Sequence, residues 1–162
     1  MTDLVAIFGE AGCDEVRTYI QSGNVLFAAA PEVAAAVPGL VAARIGERFG
    51  YRTPVVARTV DELRAVVAAN PFLAVGAAEE TLHVMFLADR PAAERVAALD
   101  PDRSPPDAFA VRGREVYLRL PNGVADTKLT TAYFDAKLAT TSTGRNWRTV
   151  TKLLALMEAR GA

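Results

Sequence analysis

The sequence predicts an α+β fold built from two ferredoxin-like halves, each a split βαβ unit with an antiparallel sheet. Segments with helical spacing alternate with short β-like runs, and glycine, asparagine or proline turns join neighbouring runs into hairpins. The same rhythm occurs twice along the 162 residues, which fit a single domain. The first half spans residues 1–75, and the second spans 80–162 with the C-terminal helices. The first half lacks the opening strand of this pattern.

The first half begins with a helix and a hairpin. Apolar residues between Leu4 and Phe8 have helical spacing, and Gly12 ends this helix. Two β-like runs, 15–20 and 25–27, lie on either side of a Ser-Gly-Asn turn and predict a hairpin. Because successive side chains of a strand alternate, the first run places its even-numbered residues on one face and its odd-numbered residues on the other.

A long alanine-rich stretch precedes the next predicted strand. Pro38 interrupts this stretch, and a proline inside a helix removes a backbone donor. The sequence therefore predicts a helix over 39–49 that ends at the following glycine. The β-branched residues of 53–58 predict a strand. A further helix follows, with Thr59 or Asp61 as its N-cap.

The second half starts with the near-continuous apolar run 82–87, which predicts a strand covered on both faces. Pro91 is suited to the first turn of the helix that follows it. Arg112-Gly113-Arg114 predicts a tight turn between two strands. The remaining predicted elements are a helix over 92–99, strands over 109–111 and 115–120, a helix over 128–138, and a last helix that begins within 143–153.

Composition excludes several classes of function. The net charge of −1 argues against a protein that coats nucleic acid, although a local basic patch remains compatible with it. The single cysteine, Cys13, excludes an internal disulfide and a multi-cysteine metal site, the single histidine, His83, removes most zinc sites, and no metal is expected. No phosphate-binding loop or dinucleotide motif is present, so no cofactor is expected. No apolar run suits a membrane, and the N-terminus lacks the basic region of a signal peptide, which predicts a cytoplasmic protein.

The segment 143–153 combines the only tryptophan with a cluster of basic residues at a predicted helix start. The first turn of a helix is already electropositive, and Arg145 and Arg148 add further positive charge there. This arrangement suits an anion, with Asn146 as a hydrogen-bond donor, but it also suits a solvated surface. Trp147 begins an apolar stripe typical of a core-facing helix, and Arg145, Arg148 and Lys152 are predicted on the opposite face.

The hairpin provides a second set of candidate binding residues. Arg17, Tyr19 and Gln21 share a strand face, and Ser22 and Asn24 lie in the adjoining turn. Such a face is usually the solvated side of an antiparallel hairpin. An arginine beside an exposed tyrosine can also stack a base or bind a phosphate. Asn24 has the simpler role of a turn residue open to it.

The segments 16–27 and 143–153 resemble the most recognisable segments of a bacterial family known as domain of unknown function 1697. The resemblance covers essentially the whole chain, because both segments occur in order at the right separation. It implies an α+β fold and a cytoplasmic location, and it brings no established activity. Family members usually begin with a further strand and a Gly-Ile-Asn-Val-Gly-Gly loop, so an N-terminal segment is expected to be missing here. Loss of that strand is expected to lower solubility, because unpaired strand edges aggregate.

The leading hypothesis is a protein that binds an anionic ligand, either a nucleic acid or a phosphorylated metabolite. The alternatives are an enzyme acting on a phosphate-bearing substrate and a structural or oligomeric module without a ligand. No catalytic residue is identified, His83 is interpreted as a core histidine, and the oligomeric state is open. The candidate ligand-binding residues are Arg145, Asn146, Arg148 and Lys152, completed by Arg17, Tyr19, Gln21, Ser22 and Asn24 if the two motifs meet in space.

Overall fold

The structure is a computed structural model that describes residues 2–19 and 23–161, without the side chains at the two outer ends. By its internal contacts the chain divides into two compact units, Met1–Ala57 and Arg58–Ala162. The described residues form a two-stranded and a four-stranded sheet, both antiparallel, together with helices. This confirms the predicted α+β class. The division into halves at residues 75 and 80 and the ferredoxin-like assignment stay predictions.

The first unit packs two helices around a hairpin. Its strands pair antiparallel, with Arg17 opposite Leu26 and Tyr19 opposite Asn24, which confirms the predicted hairpin. A register irregularity lies at Glu15, whose φ of 51° is left-handed. A core of Ile7, Phe8, Cys13, Val37, Val41 and Ile45 joins the elements. These are α1 (Thr2–Glu10), β1 (Asp14–Tyr19), β2 (Asn24–Ala28) and α2 (Pro31–Phe49).

Two sequence predictions for this part of the chain are wrong. Helix α2 continues through Pro38 instead of beginning after it. Val37 and Val41 are 1% exposed, and with Ile45 they form an i, i+4, i+8 row whose burial offsets the local cost of the proline. Residues 53–58 form no strand, because no strand among the described residues forms hydrogen bonds with them in either sheet. Val55 packs against the core of this unit without strand pairing.

The second unit holds the larger sheet and five α-helices among its described residues. Its first helix opens with the predicted Thr59 N-cap, which forms a capping box with Glu62. The predicted helix 92–99 is shorter, and Pro91 precedes its N-cap, Ala92. The elements are α3 (Val60–Ala68), α4 (Pro71–Ala74), a 3₁₀ turn (Glu79–Thr81), β3 (Leu82–Leu87), α5 (Ala93–Ala97), β4 (Ala108–Arg112), β5 (Glu115–Arg119), α6 (Thr131–Leu138), β6 (Ser142–Asn146) and α7 (Trp147–Gly161).

The four-stranded sheet has the order β4-β5-β3-β6, and every neighbouring pair is antiparallel. Strand β6 is not among the elements predicted from the sequence. It pairs with β3 so that Asn146 lies opposite His83 and Gly144 lies opposite Met85. The central strand β3 is confirmed, and its ladder on both sides explains its apolar sequence.

The two faces of this sheet pack against different helices. On one face Met85, Leu118 and the apolar side of α6 form the main core cluster. On the other, Tyr117 is 1% exposed and its hydroxyl donates to the Val66 carbonyl of α3 at 2.8 Å. Helix α7 covers the same side through Trp147, at 2% exposure. No helix within the described residues is long and apolar enough to cross a membrane.

Candidate functional site

The basic segment near the C-terminus crosses a strand–helix boundary. Asn146 ends β6, and its Oδ1 accepts a hydrogen bond of 2.8 Å from the Thr149 N–H, so that it caps α7. Arg145 lies on β6, not on the helix, which corrects the predicted helical face of Arg145, Arg148 and Lys152. Its guanidinium donates to the Gly144 carbonyl at 2.7 Å, and burial lowers its pKa.

Helix α7 separates an apolar side from a basic side, as predicted. Trp147 and Val150 are buried, which confirms Trp147 as a packing residue. Arg148 and Lys152 are exposed on the outer side of the helix. The structure thus keeps two of the three predicted basic residues on one helical face and assigns the third to a strand.

The candidate residues of the hairpin lie in the first unit. Arg17 is exposed and Tyr19 is half-buried. Asn24 is the first residue of β2 rather than a turn residue, which corrects its predicted turn role, and its Nδ2 donates to the Tyr19 carbonyl at 3.2 Å across the hairpin. Gln21 and Ser22 lie outside the described residues. The convergence of these side chains with Arg145 and Asn146 stays a prediction, because those residues belong to the second unit.

Two open clefts meet on the four-stranded sheet of the second unit. The first has a volume of about 520 Å³ and the second about 450 Å³, and His83, Val124 and Asn146 line both. The first cleft is also lined by the polar residues Glu79, Glu80, Arg148 and Thr151. The second is also lined by the polar residues Thr127, Thr130, Thr131 and Arg145.

His83 lies at the junction of the two clefts. It is half-buried, and burial lowers its pKa below the ordinary histidine value of 6.5. Its cross-strand neighbour is Asn146, which shares its face of the sheet. No hydrogen bond to the His83 ring is present within the described part of the chain. The sequence interprets His83 as a core histidine and does not include it in the candidate site. A single polar residue within an apolar strand was the signal that could have indicated this site.

The N-terminus of α6 supplies hydroxyl and backbone groups to the second cleft. Thr130 caps the helix, because its Oγ1 accepts from the Tyr133 N–H at 3.1 Å. Thr127 likewise accepts from the Leu129 N–H at 3.1 Å. Thr131 is exposed, and its hydroxyl has no hydrogen bond to any described residue. The first N–H groups of an α-helix have no carbonyl partner within the helix, so this end of the cleft is electropositive.

The charges of the two clefts differ. The described residues that line the second cleft include Arg145 and His83 and no carboxylate. The first cleft contains Arg148 together with Glu79 and Glu80 of the 3₁₀ turn. Among the described residues, none of these three side chains takes part in a hydrogen bond or in an ion pair within 4.0 Å. The first cleft therefore offers groups of both signs, whereas none of the described residues that line the second is acidic.

Residues suited to metal binding or nucleophilic chemistry are not brought together in the described chain. No group of three or more His, Cys, Asp or Glu side chains there has the arrangement of metal ligands. Cys13 is buried in the core of the first unit, and burial raises the pKa of its thiol. A raised pKa disfavours the thiolate that a cysteine nucleophile requires.

Comparison with known proteins gives one match. The model of a family described as "Protein of unknown function (DUF1697)" matches residues 1–117. No curated protein and no solved structure matches the chain. The matched range includes the hairpin and His83, and it ends within β5. The cleft residues contributed by α6, β6 and α7 therefore lie beyond it.

Proposed function

The chain belongs to the DUF1697 family of proteins of unknown function, and we propose that it binds an anionic small molecule, a phosphorylated metabolite, in the second cleft. The proposal keeps the anion-binding function expected from the sequence and changes its position. Asn146 stays within the site, whereas Arg148 lies in the neighbouring cleft and Lys152 lies outside both. Arg145 also lines the second cleft, but it pairs with Val84 and so lies on the sheet face opposite to Asn146.

The supporting observation is the set of donors in the second cleft. The Asn146 amide nitrogen, the Thr131 hydroxyl and the His83 ring have no hydrogen-bond partner among the described residues, and all three residues line this cleft. Asn146 uses its oxygen to cap α7, so its Nδ2 remains for a ligand. A cleft with several donors and no described carboxylate suits an anionic group, because an anion only accepts hydrogen bonds.

The remaining lining indicates an organic anion. Met85, Leu118, Leu120 and Leu129 line the cleft together with the polar groups. A volume of about 450 Å³ falls within the range of small-molecule sites. Mostly apolar walls with a few polar groups are typical of sites that hold the body of a ligand by contact and its polar end by hydrogen bonds. A phosphorylated metabolite combines these two parts.

A small molecule has more support than a nucleic acid. Proteins that bind single strands stack bases on exposed aromatic side chains, whereas Phe86, Tyr117 and Trp147 of this unit are all at most 7% exposed. The proposal also assigns the protein to the cytoplasm. The enzyme and the structural module remain the alternatives, and a binding experiment separates the structural module from a binding protein.

Isothermal titration with phenyl phosphate tests the site. Asn146→Asp is the informative variant, because it keeps an oxygen to cap α7 and replaces the donor with a carboxylate that repels an anion. We expect Asn146→Asp and Thr131→Val to weaken binding by about tenfold or more, since a hydrogen bond to a charged group contributes about 1.5–3 kcal/mol. Lys152→Gln is the control with a charge removed outside the clefts, and its affinity should be unchanged.

Three outcomes contradict the proposal in different ways. Affinity for phenyl phosphate that survives Asn146→Asp places the anion elsewhere. Tighter binding of a single-stranded RNA oligonucleotide, with steep salt dependence, favours the nucleic-acid alternative. Absence of binding by both probes, with lowered melting temperatures in both unliganded variants, leaves the structural module as the better explanation.

A further inference from the structure

We propose that Arg112 and Arg145 keep the two open edges of the four-stranded sheet from pairing with a strand of a second copy of this chain. Strands β4 and β6 are the outer strands of this sheet, and neither pairs with a further strand among the described residues. An outer strand has a row of unpaired backbone N–H and C=O groups, which an equivalent strand of another molecule can satisfy. The proposal is independent of the anion site.

Hydrogen bonds inside the sheet determine which backbone groups of β4 point outward. The Leu87 N–H donates to the Arg114 carbonyl at 2.8 Å, so the even-numbered residues that follow in β5 bond to β3. The odd-numbered residues of β5 therefore bond to the even-numbered residues of β4. The N–H and C=O groups of Phe109 and Val111 are left on the open edge.

The same alternation applies to β6 at the other edge. The Ala88 N–H donates to the Thr141 carbonyl at 2.9 Å, so the odd-numbered residues that follow in β6 bond to β3. The N–H and C=O groups of Ser142 and Gly144 therefore point away from β3, to the open edge.

At each edge an arginine donates to one of these outward carbonyls. Arg112 Nη1 donates to the Val111 carbonyl at 3.0 Å, and Arg145 Nη1 donates to the Gly144 carbonyl at 2.7 Å. In both strands the acceptor is the residue directly before the arginine, and the backbone groups of the arginine itself point inward. The two edges thus have the same arrangement although their sequences differ.

A second copy can use these edges only by displacing the guanidinium. If two β4 strands pair antiparallel about Ala110, Phe109 of one copy lies opposite Val111 of the other, and its N–H requires the Val111 carbonyl. Arg112 occupies this acceptor and keeps a hydrated charge beside it, and charged side chains at a sheet edge oppose edge-to-edge pairing. In two β6 strands paired about their central residue, Arg145 occupies the corresponding carbonyl.

The sequence of β4 explains why this edge needs protection. Four of its five residues are apolar and half-buried, no proline interrupts the strand, and Arg112 is its only charged residue. Short apolar strands of this kind associate readily, and a flanking charge is a common means of preventing this. A second copy of the chain is the occupant that such an edge fits, because it presents the same strand with complementary backbone groups.

Sedimentation velocity over a series of protein concentrations measures the self-association of Arg112→Thr, Arg145→Thr and the double variant. We expect each single variant to associate about tenfold or more tightly than the wild type, since a hydrogen bond to a charged group no longer has to be broken. The double variant should form larger species, since both edges of every copy are then open. Arg119→Thr is the matched control, because it removes the same charge from an exposed position on β5, which has a strand on each side. Arg112→Lys keeps a charged donor and should behave as the wild type.

Hydrogen exchange identifies the surface through which the copies associate. The amides of Phe109 and Val111 should exchange rapidly in the wild type and become protected in associated Arg112→Thr. In dilute solution the melting temperature of Arg112→Thr should match that of the wild type, because the substitution is at an exposed position. Arg112→Thr therefore decides the test even if Arg145→Thr, which replaces a half-buried side chain, does not fold.

Four outcomes overturn the proposal. Arg112→Thr associates no more tightly than the wild type, so that the edge needs no protection. Arg119→Thr associates as tightly as Arg112→Thr, so that loss of a charge anywhere on the sheet is sufficient. Arg112→Thr associates without protection of the Phe109 and Val111 amides, so that the contact lies elsewhere. The wild type itself associates with these amides protected, so that the arginines do not close the edge.

Discussion

Replacement of Arg58 by methionine should destabilise the second unit more than any surface substitution. The Arg58 side chain is 6% exposed, and its Nε donates to Glu115 Oε2 at 3.0 Å. Its terminal nitrogen donates to the Leu87 carbonyl at 2.8 Å and to the Arg114 carbonyl at 3.0 Å. The guanidinium also lies 5.5 Å from the centre of the Phe86 ring. One cation thus joins the start of α3 to the ends of β3 and β5.

The expected magnitude follows from the groups that lose their partner. Methionine keeps most of the apolar stem, so the loss is mainly that of the charge and its hydrogen bonds. Glu115 is 14% exposed and would remain as a nearly buried carboxylate without its cation. The Arg114 carbonyl still accepts from the Leu87 N–H, so the Leu87 carbonyl is the acceptor that loses most. Removal of one partner of a buried pair costs about 3–5 kcal/mol, a large part of the roughly 5–15 kcal/mol that stabilises a protein.

Urea unfolding followed by the fluorescence of Trp147 measures this loss, because the only tryptophan is buried in the same unit. Arg112→Met is the control, since Arg112 is exposed and, among the described residues, its side chain donates only to the neighbouring Val111 carbonyl. We expect a change within about 0.5 kcal/mol. The second variant Glu115→Gln and the double variant complete a cycle that isolates the coupling of the pair. A loss for Arg58→Met that does not exceed the control would refute the reasoning.

Three further results are expected. Tyr117→Phe should cost about 1 kcal/mol at neutral pH, because the Val66 carbonyl loses its donor. Burial raises the pKa of Tyr117 to about 12, above its value of about 10 in the unfolded chain, so its stabilising effect is present below pH 10 and is lost as the pH rises towards 12; alkaline urea titrations of both proteins check this. Thr130→Ala should cost about 1 kcal/mol by removing the cap of α6, and Thr130→Ser should restore it. Sulfate, which does not titrate near neutral pH, should bind more tightly as the pH falls through the lowered pKa of His83, whereas His83→Gln should abolish this dependence.

The sequence was sufficient where a local signal and the tertiary environment agree. The apolar run of β3 predicts a doubly covered strand, and the structure places that strand between two neighbours with helices on both faces. Thr59 and Glu62 have the spacing of a capping box, and both hydrogen bonds of the box are present. The Gly-Asn turn likewise predicts a hairpin whose strands are close in sequence.

The failed predictions concern segments whose structure depends on distant partners. Pro38 is a helix breaker by local rules, yet α2 continues because Val37 and Val41 are buried in the core on either side of it. Residues 53–58 have β-branched side chains but no strand to pair with in the described chain. The polar, glycine-containing segment 142–146 has no strand pattern, and its pairing with β3 alone makes it β6.

The candidate site shows the same division. By itself, the sequence determined that basic and amide side chains cluster near Trp147 and that Trp147 belongs to a core-facing stripe. Only the tertiary structure decided that Asn146 and His83 lie side by side, because strand pairing joins positions that are far apart in sequence. The same pairing assigned Arg145 to a strand. It also placed His83, which the local sequence predicts to be a core residue, where the two clefts meet. Side-chain periodicity is a local property of the backbone, whereas a cleft is formed by elements that meet only after the chain has folded.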